Sequence, residues 1–200
     1  MLRNGDSMFD IIQELDWNIL YFIQTELRSA AMDAVMKLIS LAGNAGIIFF
    51  LTAGVLLIFR SYRRCGVNIL LAMAAGAVLA NLIMKPLIAR DRPCWLDESI
   101  QLLVAQPHDH SFPSGHTLHA FLVATVIFLY DKRIGIPALI VAAVMGFSRI
   151  YLFVHFPSDV ICGALIGAAV AVGCYFLLKA LTKKFPRLSE LLPDRNSVRE

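Results

Sequence analysis

Charge is scarce in this 200-residue chain: Asp, Glu, Lys and Arg make up 16% of it, against roughly 25% in ordinary soluble domains. Hydrophobic residues make up 58%, a balance that excludes a soluble globular domain and points to a polytopic membrane protein. The net charge of +3 is small and scattered, so nucleic acid is not an expected partner. Paired cysteines are also missing. Cys65, Cys94, Cys162 and Cys174 form no CxxC, and Cys162 and Cys174, twelve residues apart on one apolar run, would stand about 18 Å apart on a helix. All four are assigned packing roles. Asp6, Asp10, Glu14 and Asp16 stand where a cleavable signal carries positive charge, so the chain is expected to be inserted as it stands. No carboxylate cluster suits magnesium, and His108, His110, His116 and His119 have no companion at zinc spacing. Neither a metal nor another cofactor is expected.

Long apolar runs are what the chain does have. A membrane-crossing helix needs about 20 mostly apolar residues, and five stretches approach that length: Leu38–Phe59, Cys65–Met84, Gly115–Tyr130, Ile134–Val154 and Val160–Leu178. The expected fold is an all-α, polytopic membrane helix bundle of five or six transmembrane helices with amphipathic N-terminal helices. Residues 1–37 form the N-terminal part, because Ile12, Leu15, Ile19, Phe22, Ile23 and Leu27 recur at helical spacing while acidic residues interrupt them. A sixth, imperfect span through Trp17–Leu27 is the competing reading. Residues 38–186 form the membrane-embedded domain and residues 187–200 a polar C-terminal tail. Gly163 and Gly167 form a GxxxG pair that lets helices approach closely.

Lys and Arg mark orientation, since short cytoplasmic loops collect them. Arg60, Arg63 and Arg64, then Lys132 and Arg133, then Lys179, Lys183 and Lys184 fall on one side if the stretches alternate. That side is expected to be cytoplasmic, which places the long Arg90–Pro113 connection and the His155–Asp159 turn on the outer side.

Three ionisable clusters gather at those outer ends, where such residues are costly and usually functional. They are Lys85 with Arg90 and Arg92, then Ser114-Gly115-His116, then Arg149 with His155 and Asp159. Lys85 and Arg92, seven residues apart, share a face if the helix is continuous. Pro113 and Ser114 read as a helix start with Ser114 as N-cap, and such a start offers free N–H groups to an anion. Gly115 lets the anion approach the backbone. Asp159, four residues after His155, can reach one ring nitrogen and leave the other to attack, while Arg149 supplies a forked donor matched to phosphate oxygens.

These residues resemble the type 2 phosphatidic acid phosphatases, which share their active site with the vanadium-dependent haloperoxidases. The motifs stand here as Lys85-x6-Arg92-Pro93, Pro113-Ser114-Gly115-His116 and Ser148-Arg149-x5-His155-x3-Asp159, in the family's order. The resemblance covers residues 85–159 closely and the surrounding helices more loosely. It implies that His155 is the nucleophile forming a phosphohistidine, that Asp159 orients it, and that His116 is the general acid. It further implies that Lys85, Arg92, Ser114, Gly115 and Arg149 cradle the phosphate, three cations standing in for a metal. Members of the family commonly have six spans, where five are secure here.

The implied function is a metal-independent membrane lipid phosphatase acting on a lipid phosphate or diphosphate. An outward-facing site in the plasma membrane fits undecaprenyl diphosphate, with phosphatidylglycerol phosphate and phosphatidic acid as alternatives. Membrane lipids surround the chain, and its oligomeric state is left open. Haloperoxidase chemistry is disfavoured by the five apolar stretches. A non-catalytic lipid-binding or transport protein is disfavoured by the intact His116, His155 and Asp159.

Overall fold

The computed structural model describes residues 8–193, and the regular elements among them are all helices, with no strand. Residues 194–200, half of the expected polar tail, lie outside the described residues. The chain opens with α1 (Met8–Phe22), extended by wider π-type turns over Ile23–Leu27. Ser29 caps α2 (Ala30–Ala42), its hydroxyl accepting from the Met32 amide. A tight turn over Asn44–Gly46 then leads into α3 (Ile47–Ile58), bent 56° from α2. The stretch Leu38–Phe59, expected as one span, is therefore broken. Gly46 takes a φ of 69° there, a left-handed conformation that glycine adopts without steric cost.

α4 (Arg63–Ala77) runs on through π-type turns (Val78–Met84) to a last turn, Lys85–Ile88. Ala89, left-handed at φ 47°, ends it. A long connection holding the single turn Pro93–Leu96 leads to α5 (Gly115–Tyr130), followed by α6 (Lys132–Tyr151), α7 (Pro157–Lys184) and the short α8 (Pro186–Leu191). The Asp131 carboxylate caps α6 by accepting from the Arg133 amide.

α5 sits at the centre, packed on α6 and α7 and buried around its whole circumference, from Thr117 and Leu118 to Val126 and Ile127. The GxxxG pair makes this possible. A Cβ added to Gly167 would lie 2.2 Å from the Leu118 carbonyl oxygen, and one added to Gly163 would lie 2.9 Å from that of Ser114. The helix backbones touch there with no side chain between them. Outward, Leu51, Ile140, Val141, Ile161 and Leu165 are exposed, an apolar surface that lipid covers.

α6, α7 and the segment Arg60–Leu96 containing α4 are long and apolar enough to cross a membrane, and α2 with α3 make a fourth, bent candidate. α5, with 16 residues, spans about 24 Å at 1.5 Å per residue, short of a bilayer core of about 30 Å. Its N-terminus starts inside the bundle, shielded by its neighbours from lipid.

The basic turns share one end of the bundle: Tyr62 Oη donates to Asp131 at 2.9 Å and Arg64 to the Thr182 hydroxyl at 2.5 Å. α1 meets the opposite end along its length. Asp16 contacts Ser158, Trp17 stacks edge-on to Phe156, Tyr21 donates to Asp97 and Gln24 to the Tyr151 carbonyl. It therefore packs along that end of the bundle.

Candidate active site

Between α2, α3, α4 and α5, at the end covered by α1, lies a cavity of about 1160 Å³. Lys85, Arg92, Gly115, His116, Arg149 and His155 line it together, so one void joins all three sequence clusters. Leu38, Leu41, Phe49, Phe50, Leu70 and Met73 line its other side. One wall is cationic and the other apolar.

His155 is delivered by the bend between α6 and α7. Phe153 is left-handed there, with φ 60°, a conformation costing a bulky residue of order 1–3 kcal/mol. Its ring is buried beside Trp17 and Tyr21, which holds the bend in place. His155 is only 2% exposed, and its Nε2 lies 3.1 Å from Arg92 Nη1. A guanidinium only donates, so Nε2 accepts and the ring proton sits on Nδ1. Nδ1 faces Ser111 Oγ at 3.3 Å, and Ser111 in turn donates to Asp159 Oδ2 at 2.5 Å. Burial pulls the His155 pKa down to about 4, helped by the Arg92 and Arg149 charges and opposed by Asp159. The imidazole is neutral at neutral pH, with its Nε2 lone pair toward the cavity.

The expected direct contact between His155 and Asp159 is replaced by a bridge. His155 Nδ1 and Asp159 Oδ2 are 3.8 Å apart, beyond hydrogen-bond range, and Ser111 spans the gap. Asp159 is fully buried in the first turn of α7, where Oδ2 also accepts from the Phe156 amide at 2.9 Å. It stands behind the cavity and does not line it.

Lys85 and Arg92 do not share a helix face. The helix ends at Ile88, and Arg92 is extended before Pro93. They meet because both clamp Asp109: Lys85 Nζ ion-pairs with its Oδ2, and Arg92 Nη2 with Oδ1 at 2.8 Å. Burial alone would raise the Asp109 pKa, but these two cations bring it down to about 2. Arg149 donates through Nη1 to the Ser40 hydroxyl, while its Nε is buried without a partner among the described residues. An orphaned buried donor on a cavity wall is a place for an anion.

Ser114 occupies the N-cap position of α5, but its hydroxyl shares a hydrogen bond of 3.0 Å with Thr117 Oγ1 and its amide donates to the Asp159 carbonyl at 3.2 Å. Fully buried, its side chain does not line the cavity. Gly115 does line the cavity, and a Cβ there would lie 3.9 Å from Lys85 Nζ. His116 Nε2 is 3.0 Å from Asn44 Oδ1, in the turn that breaks α2 from α3. The other histidines do not gather as ligands. His119 Nδ1 is 2.8 Å from the Gly115 carbonyl oxygen, and the His110 ring packs edge-on to Trp95.

Ser111, Asp109, Asn44 and Ser40 were missed by sequence reasoning because they lie outside the motifs, and loop folding alone brings them in. Arg90 stood in a recognised cluster with no role of its own. Asp16 carried a readable signal: it is an acid within the apolar repeat of α1, and it is buried.

With this geometry in place, comparisons with known proteins add the following. The family model described as "PAP2 superfamily" matches residues 66–183. An undecaprenyl-diphosphatase of Sulfolobus acidocaldarius is 30% identical over 161 residues, 80% of this chain and 77% of that one. Three further curated relatives are matched over 55%, 56% and 64% of their length. The crystal structure of Aquifex aeolicus LpxE superposes with a TM-score of 0.73 at 30% identity, covering 88% of this chain and 99% of that one. The PAP2-type phosphatidylglycerolphosphate phosphatase of Bacillus subtilis superposes with a TM-score of 0.69 at 25% identity, covering 88% of each.

Proposed function

The chain belongs to the PAP2 superfamily, and on that footing we propose that this membrane lipid phosphatase hydrolyses a polyprenyl diphosphate of the undecaprenyl class through a phosphohistidine on His155. The observation that carries the reading is the two-sided cavity, with Lys85, Arg92, Arg149 and two histidines opposite an apolar wall. A lipid diphosphate has that polarity.

The terminal phosphate displaces the Asp109 carboxylate and takes its place between Lys85 and Arg92, with Arg149 completing the positive cradle. His155 Nε2 attacks phosphorus as the bond to the bridging oxygen breaks, and Arg92 shifts from Nε2 to the phosphoryl oxygens. Phosphoryl transfer requires positioning and charge stabilisation above all, which these cations supply. His116 gives its proton to the departing oxygen and the lipid monophosphate leaves. Water then attacks the phosphohistidine, His116 takes the water's proton, and inorganic phosphate is released with His155 neutral again.

The site faces the outer side of the plasma membrane in this reading. Support comes from the basic turns around Arg64, Lys132 and Lys183, which occupy the opposite end of the bundle.

Phosphate release from undecaprenyl diphosphate, phosphatidylglycerol phosphate and phosphatidic acid by the purified protein tests the substrate. The polyprenyl diphosphate is expected to give the highest kcat/KM, and preference for either phospholipid overturns that choice. His155→Ala is expected to retain less than about a hundredth of the activity, and His116→Ala to lose about 10²–10⁴-fold as a missing general acid does.

A further inference from the structure

α1 reaches the catalytic end through a carboxylate that its apolar repeat does not account for. Asp16 is 3% exposed. Its Oδ1 accepts from the Ser158 amide at 2.8 Å, and its Oδ2 accepts from the Ser158 hydroxyl and from Arg90 Nη2 at 2.7 Å. Arg90 turns its other terminal nitrogen to Asp159 Oδ1 at 2.6 Å and Ser158 Oγ at 2.7 Å. Gln13 Oε1 accepts from Nη2 at 2.7 Å, and the guanidinium lies 4.1 Å over the Phe156 ring. The backbone of Arg90 matters as well, because its carbonyl accepts from the Ser111 amide at 2.8 Å.

Arg90 thus holds both neighbours of His155 Nδ1, the carboxylate through its side chain and the bridging serine through its carbonyl. Neither Arg90 nor Asp16 lines the cavity. We infer that Arg90 and Asp16 form a positioning pair for the phosphoryl-accepting histidine. Arg90 occupies Oδ1 of Asp159 so that Oδ2 is turned to Ser111 and His155, and Asp16 locks Arg90 in place and balances its charge.

The charges make the arrangement specific. Asp159 is fully buried, and a buried carboxylate stays ionised only with a partner. Arg90 is that partner, while Asp16 keeps the added positive charge from reaching His155 undiminished. The N-terminal helix is on this account part of the catalytic apparatus. The inference rests on the reading of His155 as nucleophile.

Both are tested in the full-length protein in detergent micelles, by kcat and KM for lipid phosphate release and by the pH profile of kcat/KM, with thermal melts to establish folding. Arg90→Gln is expected to lower kcat about 10- to 100-fold, the range known for hydrogen-bond partners that orient metal-ligating histidines, with KM little changed. Its acid limb, which reports His155 protonation, is expected to move up by about one pH unit, since a cation has been removed. Arg92, Arg149, Asp159, Ser111 and His116 still surround His155 in that variant, and Asp16, Gln13 and Ser158 the vacated place.

Arg90→Lys retains the charge and is expected to return the limb to the wild-type position. Asp16→Asn leaves Arg90 uncompensated and is expected to lower kcat with the limb unmoved or displaced downward. An upward limb from Arg90→Gln with no upward limb from Asp16→Asn is what a purely structural role does not produce. A lowered kcat with an unmoved limb in Arg90→Gln, or an upward limb in Asp16→Asn, overturns the inference. Should Arg90→Gln melt below the assay temperature, Arg90→Lys and Asp16→Asn decide by the same criteria. His155→Ala separates the two levels: activity retained there removes the nucleophile reading itself, whereas an inactive His155→Ala beside a wild-type-like Arg90→Gln removes only the positioning pair.

Discussion

The Asp109 carboxylate lies 2.8 Å from Arg92 Nη2 and is shared with Lys85, so an acidic side chain fills the cradle proposed for the phosphate. In the proposed mechanism, substrate and Asp109 compete for the same two cations. Asp109→Asn removes the competing charge and is expected to lower KM several-fold and to tighten inhibition by inorganic phosphate and vanadate. Half of the Asp109 side chain faces solvent, which keeps the effect moderate. Unchanged phosphate inhibition in Asp109→Asn would show that the carboxylate and the phosphate do not share a place.

The low pKa of His155 sets the acid side of the pH profile. A protonated imidazole has no lone pair to attack with, so activity falls as pH drops through the folded-state value of about 4, below the ordinary histidine value of 6.5. The acid limb of kcat/KM that reports His155 is therefore expected to lie below about pH 5. An acid limb centred near 6.5 would mean that His155 is hydrated and that the buried arrangement with Arg92 and Ser111 is wrong.

Chelators are expected to leave turnover unchanged, because Lys85, Arg92 and Arg149 bring to one cavity the positive charge that phosphoryl transfer requires. The assay is phosphate release after prolonged treatment with EDTA, with and without added magnesium. Loss of activity restored by magnesium would refute the three-cation account.

Sidedness can be read by thiol labelling. A cysteine-free variant carrying a single cysteine at Ser61, in the basic turn, or at Gln101, in the connection beside α1, is treated in intact cells with a membrane-impermeant reagent. Gln101→Cys is expected to label and Ser61→Cys to stay unlabelled. The reverse pattern would place His155 on the cytoplasmic side and remove the main reason for favouring a polyprenyl diphosphate.

Membrane residence, the helical class and the lipid-phosphatase family were readable from the chain alone. Apolar runs near membrane length and the scarcity of charge decide the first two, because each helix satisfies its backbone hydrogen bonds internally and needs no partner to be recognised. His155, Asp159, His116 and Arg149 stand out because ionisable groups beside apolar runs are costly and so are rarely there without a use. The GxxxG spacing of Gly163 and Gly167 likewise announced a close helix contact, and α5 and α7 make it.

What the chain alone did not decide is how those groups are wired. The stretch Leu38–Phe59 is apolar throughout, yet Asn44–Gly46 bends it over His116, and apolar length does not report a bend. Lys85 and Arg92 meet through Asp109, Ser111 stands between His155 and Asp159, and Asp16 reaches Arg90 across 74 residues of sequence. Each of these is a hydrogen bond or ion pair effective only within about 3.5 Å, and side chains far apart in sequence come that close only once the helices have packed. Composition and spacing determined which chemistry the protein carries. Tertiary packing decided which nitrogen of His155 holds the proton, because that depends on what stands at each edge of the ring.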